Sequence, residues 1–359
     1  MNTNLDIIYS CFLTNSGYTR ASLGYIRSLG LLGNNVYINC VHKYPQGNSF
    51  TKDELFIINK TCSIGKMEGD VLIEHVIPNR WRNLLNGNRR YCVAVFENEK
   101  VDDFWVESIN RVMHGVIYPC SWNKKIFENC GVNKPGFVVP HFLDELVWKK
   151  QIITDSFFNK FSFCAIATWR ERKNWSTLFK SFELLKNKHD FVLGIKTDKN
   201  FELINYVKEN HPSIFSNIIL ETNELDDHGM VKMMSKFDVI VNFSLGEAFC
   251  MPLLQGLFLG KPFVSTDIEG VKDFASPEYG VFIPSNGDLR KDRLDSYGQF
   301  KNKIWPYFDP ESSCRALLEI IEKYNYYKSN IDKDQDRFFK KFGLNNSISN
   351  NYWDPVFNT

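Results

Sequence analysis

A chain of 359 residues is too long for one ordinary hydrophobic core and fits two domains of typical size. Its 43 basic and 42 acidic side chains nearly cancel, which removes the electrostatic argument for nucleic acid or an acidic surface as partner and leaves a small or neutral one. With 43% apolar and 15% aromatic residues the chain can bury sizeable cores, and its longest apolar runs stop well short of a bilayer's thickness, so a globular chain that does not span a membrane is expected.

The first residues, MNTNLDIIYS, lack the basic region, long apolar stretch and small-residue cleavage site of a secretory signal. Nine cysteines, an odd number without Cys-x-x-Cys, match neither a disulfide framework nor a zinc site and read as reduced thiols of a cytoplasmic protein. Leu5 to Phe12 predicts a strand, Gly17 a turn, the stretch with Leu23, Ile26 and Leu29 on one side an amphipathic helix, and Val36 onward a second strand. Strand, helix, strand at this spacing is a βαβ unit. Short apolar runs at Val71 to Pro78, Tyr91 to Glu97 and Gly115 to Pro119 extend one parallel sheet over roughly the first 140 residues.

The polar stretch Lys149 to Asp155 marks the boundary, giving domains 1–150 and 151–325. The second repeats the alternation, with strands at Phe161, Phe191 to Lys196, Asn217 to Glu221, Asp238 to Phe243 and Pro262 to Thr266. Helices are predicted at Ser176 to Lys188, Phe201 to Asn210, Gly229 to Lys236 and Pro252 to Leu259. The sequence therefore predicts two Rossmann-like, doubly wound parallel-sheet domains. A long helix from Pro310 leads to a tail, 326–359, whose Phe338, Phe339, Phe342 and Trp353 call for packing against the protein.

One segment spends a charge in apolar surroundings: GEAFCMPLLQGLFLGKPFV, Gly246 to Val264. It follows a buried parallel strand, and Pro252 suits the first turn of a short apolar helix because its missing N–H is an orphan there anyway. Glu247 thus falls in the loop at a strand's carboxyl end and Gln255 in the first helical turn. In open α/β sheets that crevice holds ligands, and the helix N-terminus offers N–H groups to an anion. A glutamate capping the helix with no ligand is the other reading.

The segment resembles the signature of retaining, nucleotide-sugar-dependent GT-B glycosyltransferases, the glycosyl transferases group 1 family, in which two glutamates flank seven residues in a run like E-G-F-G-L-P-x-L-E-A-M-A-x-G-K-P-V. Here Glu247 to Pro252, Gly260, Lys261 and Pro262 keep the frame, and Gln255 stands where the family usually has glutamate. Three further stretches resemble the family in order: Ala167 to Leu185, Glu97 to Asp144, and NSGYTRAS, Asn15 to Ser22. The resemblance implies two domains facing a cleft, the N-terminal one for the acceptor and the C-terminal one for the nucleotide sugar. It also implies transfer of a hexose-type sugar from a UDP- or GDP-linked donor to a glycan, lipid-linked or other acceptor, with retention and with the leaving phosphate serving as base.

Role by role, the resemblance puts Lys173 with Arg172 or Arg170 on the donor diphosphate, Glu247 on the sugar hydroxyls and Gln255 on the ribose. Backbone N–H groups of Phe249, Cys250 and Met251 lie by the diphosphate or sugar. Gly17 and Tyr18 approach the donor from the opposite domain. Fixed cations suit a leaving group that gains negative charge, and no DxD motif follows an apolar strand, so neither metal nor cofactor is expected. Glu97 and His75 are acceptor-side candidates; a surface glutamate and a core histidine are their plain alternatives, and His141 reads as hinge packing. The acid-free segment NRWRNLLNGNRRY, with Arg80, Arg82, Arg89 and Arg90, reads either as a patch for anionic lipid at the inner membrane face or an anionic acceptor, or as a solvated loop. Two rivals stand beside this reading: a non-catalytic accessory subunit, raised by Gln255, and a GT-B enzyme of different chemistry, such as an epimerase or phosphorylase, which would need catalytic carboxylates or a cofactor lysine of its own.

Overall fold

The computed structural model describes residues 4–14, 16–41, 50–62, 66–81, 85–149, 157–198, 201–287, 289–291 and 303–358. They fall into two units. The first comprises Met1–Val147, Leu225–Asp227 and Arg337–Thr359, the second Trp148–Glu224 and His228–Asp336. The polar stretch read as the boundary lies mostly outside the described residues, as do Asn15, Arg82 and Leu84.

In the first unit, β1 (Asp6–Cys11), α1 (Gly17–Leu31), β2 (Asn35–Cys40), α2 (Lys52–Thr61), β3 (Glu68–His75), β4 (Asn86–Val93), α3 (Asp103–Val112), β5 (Gly115–Tyr118), α4 (Ser121–Asn129) and β6 (Gly136–Val138) alternate. The strands form one parallel sheet in the order β2-β1-β3-β4-β5-β6, which reverses direction between β1 and β3. Helix α1 buries Leu23, Ile26 and Leu29, the face its periodicity predicts. Gly17 is its first residue, not a separate turn, with Ser16 as N-cap accepting from Thr19 N–H at 3.4 Å.

Strand β4 corrects two expectations. It starts at Asn86 and ends at Val93, so Glu97 lies beyond the strand and does not close it. Arg89 and Arg90, read as part of a basic patch, are ladder residues opposite Val71 and Leu72. Two adjacent arginines fit a sheet because each has an internal partner. Arg90 Nη2 donates to Glu74 Oε1 at 2.8 Å, Glu74 being fully buried, and Arg89 donates to the carbonyl of Phe357.

The second unit runs β7 (Phe161–Ile166), α5 (Trp175–Lys186), β8 (Phe191–Lys196), α6 (Phe201–Asn210), β9 (Ile218–Glu221), α7 (Asp227–Met234), β10 (Val239–Asn242), α8 (Met251–Phe258), β11 (Phe263–Thr266) and β12 (Gly280–Ile283). Asp227, the first residue of α7, is assigned to the first unit and the rest of the helix to the second. The six strands are again parallel, ordered β12-β11-β10-β7-β8-β9, with the reversal between β7 and β10. Every residue of β10 is buried, as its unbroken Val-Ile-Val run requires of a strand covered on both faces. A small antiparallel pair, β13 (Leu289–Lys291) and β14 (Ile304–Pro306), precedes α9 (Pro310–Glu322), α10 (Tyr324–Phe342) and α11 (Asp354–Phe357). The stretch expected as one long helix from Pro310 breaks at Lys323.

The end of the chain belongs to the first unit's core. Leu344, Trp353 and Val356 cluster with Ile7, Tyr9, Tyr25 and Val71. Trp353 Nε1 donates to Ser28 Oγ at 2.9 Å, Ser28 Oγ to Ser347 Oγ at 2.8 Å, and Tyr91 Oη to the Val356 carbonyl at 2.8 Å. These bonds satisfy polar atoms that burial would otherwise leave exposed to a penalty of ~1–3 kcal/mol each.

Candidate functional site

In the second unit the reversal of strand order lies between β7 and β10, and the loops leaving those two strands carry the charges. After β7 the chain makes a single 3-10 turn, Glu171–Lys173, and enters α5 through Asn174, which adopts the left-handed conformation at φ 56°. Asparagine tolerates that region better than most side chains, and Thr177 Oγ1 donates to Asn174 Oδ1 at 2.8 Å. After β10 the loop reaches α8 through Cys250, again left-handed at φ 62°, with Pro252 in the first turn. Because α8 starts at Met251, Gln255 stands in the second turn and not the first.

The two loops are joined at backbone and side-chain level. Leu245 N–H donates to the Arg172 carbonyl at 2.8 Å, and the Arg172 guanidinium donates to the Gly246 carbonyl. Arg172 Nη1 also lies 3.4 Å from Glu247 Oε2, while Lys173 Nζ contacts Glu247 Oε1. Three residues expected at the site therefore meet one another directly. Glu247 is 7% exposed. Burial alone would raise its carboxyl, but Lys173, Arg172 and hydrogen bonds from Lys173 and Ser244 outweigh that and hold it down to about 2. Glu247 is thus ionised at neutral pH, and two cations around one carboxylate leave the cluster with a positive excess.

Gln255 is 7% exposed, and its side chain makes no hydrogen bond within the described residues. Phe249, Cys250 and Met251 are buried too; the Phe249 ring packs on Phe274 at 5.1 Å, and burial pushes the Cys250 thiol up to about 12. What they present to a ligand is backbone and the start of a helix, where partial positive charge gathers. Arg170 is exposed, at the head of the 3-10 turn. Beside it Trp169, half-buried, donates its backbone N–H to Asp198 Oδ1 at 3.1 Å and packs its ring against Trp175 and Tyr206.

Sequence reasoning passed over the supports. Ser244 is buried beneath Glu247, and its carbonyl accepts from Thr266 Oγ1 at 2.5 Å. Gly270 lies so close to the loop that a Cβ there would fall 1.8 Å from the Glu247 carbonyl oxygen. The legible signals were small: a glycine in an acidic turn, and an asparagine following Lys173. Among the described residues no group of three or more His, Cys, Asp or Glu side chains could hold a metal ion.

In the first unit Tyr18, His75 and Glu97 come together. The Tyr18 ring lies 4.7 Å from that of His75, and burial, then nearby Glu97, push its phenol up. His75, the last residue of β3, is fully buried. Its Nδ1 is 2.8 Å from Tyr9 Oη and 2.9 Å from Ser22 Oγ, and Nε2 has no hydrogen-bond partner. Burial, helped by His141, keeps the ring below its usual range and therefore neutral at pH 7. His141, 5% exposed, holds Tyr25 Oη at 3.1 Å. A Cβ at Gly17 would meet nothing within 4 Å, so no packing within the protein demands glycine there. Among the described residues the basic segment does not present a row of cations. Arg89 and Arg90 are engaged as described, Trp81 Nε1 donates to the Val76 carbonyl at 3.0 Å, and Arg80 is exposed. No helix among the described residues is long and apolar enough to cross a membrane.

Two parallel, doubly wound sheets, one carrying a cation–carboxylate cluster at its switch point, are the architecture of the GT-B fold. Residues 160–292, within the C-terminal unit, match the family model described as Glycosyl transferases group 1. No curated protein matches the chain by sequence. Among solved structures, Anabaena HepE in complex with UDP-glucose is similar at a TM-score of 0.70 and 12% identity, covering 99% of this chain and 100% of that one. Sucrose-phosphate synthase from Thermosynechococcus elongatus gives 0.71 and 10%, and a glycosyltransferase from Rickettsia africae 0.69 and 15%, each over 99% of this chain and 100% of the other. At these identities the likeness is one of fold.

Proposed function

We propose that this protein is a glycosyltransferase that moves a hexose-type sugar from a nucleoside diphosphate, UDP before GDP, to a glycan or glycolipid-type acceptor with retention of anomeric configuration. The observation that carries it is the cluster of Arg172, Lys173 and Glu247 at the switch point of the second unit. As the bond to the sugar breaks, the diphosphate gains negative charge, and a preorganised cluster with a positive excess favours that state over the ground state. Lys173 supplies the mobile ammonium. Arg172, tied to the Gly246 carbonyl, holds the Glu247 loop at the height of the sugar. Glu247 accepts from sugar hydroxyls, and Gln255, whose amide lacks a protein partner, meets the ribose. In the first unit Gly17 and Tyr18 are the candidates for the donor and Glu97 for the acceptor; the protein's cations do the electrostatic work without a metal ion.

The preference for UDP rests on the UDP-glucose complex of HepE, a structural neighbour. A thermal-shift panel of UDP, GDP and their sugars tests the reading, since a ligand at a hundred times its dissociation constant stabilises by ~2.7 kcal/mol. Proton NMR of the product reads the stereochemistry. Inversion at the anomeric carbon overturns the retaining assignment, and a transfer rate that collapses with chelator overturns metal independence. No shift with any nucleotide favours an accessory subunit.

A further inference from the structure

We propose that Cys11, Cys40 and Cys62 of the first unit form an oxidisable thiol site that closes a disulfide within the trio. Cys11 and Cys40 are the last residues of β1 and β2 and are register partners. Neighbouring strands lie ~4.8 Å apart, inside the roughly 4.4–6.8 Å between Cα atoms that a disulfide spans. Cys11 falls on the same face of β1 as Ile7 and Tyr9, and Cys40 and Cys62 both pack against the cluster those residues form. Cys62 caps the C-terminus of α2, its N–H donating to the Ile58 carbonyl at 2.8 Å. Three elements thus deliver three thiols to one place. Each is a thiol and not part of a disulfide, and the charge interaction of Cys11 with both neighbours agrees with the placement.

The trio divides the work of thiol exchange. Cys11 is fully buried, whereas Cys40 and Cys62 are half-buried and within reach of a small oxidant. The thiolate of an outer cysteine attacks one sulfur of a low-molecular-weight disulfide such as oxidised glutathione, forming a mixed disulfide and releasing one glutathione thiolate. A second thiol of the trio loses its proton, attacks the protein sulfur of that mixed disulfide and releases the second glutathione. Two protein thiols and one oxidised glutathione become one protein disulfide and two reduced glutathiones. The site adjoins the segment that starts α1: Cys11 precedes Phe12, whose carbonyl accepts from Thr19 Oγ1 at 3.0 Å.

The experiment treats the full chain with oxidised glutathione, blocks remaining thiols by alkylation, and maps tryptic peptides without reduction. Trypsin separates the three cysteines into peptides 1–20, 28–43 and 61–66. The expected product is a linked pair drawn from these three, with two of the nine thiols lost and regained on treatment with dithiothreitol. The double variant Cys40→Ser, Cys62→Ser removes only half-buried sulfurs and is expected to keep its remaining thiols under the same treatment. Full alkylation of all three cysteines in the treated wild type, a link to any cysteine outside the trio, or a disulfide that persists in the double variant overturns the proposal.

Discussion

The ammonium of Lys173 rests against the carboxylate of Glu247, although 74 positions of sequence separate them. The contact exists because β7 and β10 are neighbours whose outgoing loops meet at the reversal of strand order. Its pH signature follows from sign. The folded carboxyl of Glu247 sits at about 2 against an ordinary 4.5, so its contribution is fully present above about pH 4.5 and is lost as pH falls toward 2. A shift of this size corresponds to on the order of 3 kcal/mol. Urea titrations of wild type and Glu247→Gln should therefore diverge in pH dependence between about 5 and 2, with the variant's curve the flatter; parallel curves would refute the ion-pair account.

Lys173→Ala should abolish transfer while the chain still folds, because Arg172 remains beside Glu247 and the carboxylate is not left unpaired. The stability loss is set at about 1–3 kcal/mol, as for a lost charge-assisted hydrogen bond. Combining Lys173→Ala with Glu247→Gln should recover part of that loss but none of the activity. A double-mutant cycle in urea, run beside the transfer assay, measures both; full additivity of the two stability changes contradicts direct coupling.

Gln255→Glu should tighten binding of the free nucleoside diphosphate several-fold. A carboxylate accepts from two ribose hydroxyls where the amide accepts from one and donates to the other, a difference of about 1 kcal/mol. A 2′-deoxyribose ligand should gain less. In the absence of ligand the variant should be less stable than wild type, since a charge replaces an amide that is already 93% enclosed (7% exposed). Calorimetry of nucleotide binding and a urea melt of the apo variant give the two numbers; unchanged affinity for UDP and GDP removes Gln255 from the ribose site.

Gly270→Ala should damage the site from outside it. The new Cβ would stand 1.8 Å from a backbone oxygen of Glu247, which has no flexible end to swing away. Overpacking of this kind costs about 1–3 kcal/mol and here must move the loop that presents the carboxylate. The transfer rate should fall by more than nucleotide affinity does. Wild-type kinetics in the alanine variant would mean the loop's position is immaterial.

Trp353→Ala should destabilise the first unit by about 3–5 kcal/mol, the usual range for emptying a tryptophan site in a core. Besides volume it loses the hydrogen bond to Ser28, whose hydroxyl also serves Ser347. Denaturation followed by near-UV circular dichroism measures it. A loss below about 1 kcal/mol would show that the tail contributes little to that core.

Much of this architecture was legible because parallel strands buried on both faces write themselves as apolar runs. FVLGIK and the Val-Ile-Val of β10 are examples, and the turn residues between them are plain. Strand β4 was misread for the opposite reason. Arg89 and Arg90 look like surface in one dimension, and only the register with β3 reveals that Glu74 awaits Arg90. At the candidate site, the residue types and their frame in Gly246 to Val264 were readable. Their mutual contacts were not, since pairing Lys173 with Glu247 depends on which strands become neighbours. Gly270 and Ser244 were invisible because their roles are steric and second-hand, expressed through the backbone of the loop they support.

The contribution of the last residues to the first core sets a timetable for synthesis. Ile7 and Tyr9 leave the ribosome early, but Leu344, Trp353 and Val356, which complete their cluster, emerge only after the second unit. At 5–20 residues per second the interval between Val147 and the terminus is roughly 10–40 s. Throughout that interval the nascent N-terminal unit carries an unsealed apolar seam. A chain truncated before Leu344 would keep the strands of both sheets but lose the residues that seal the first core.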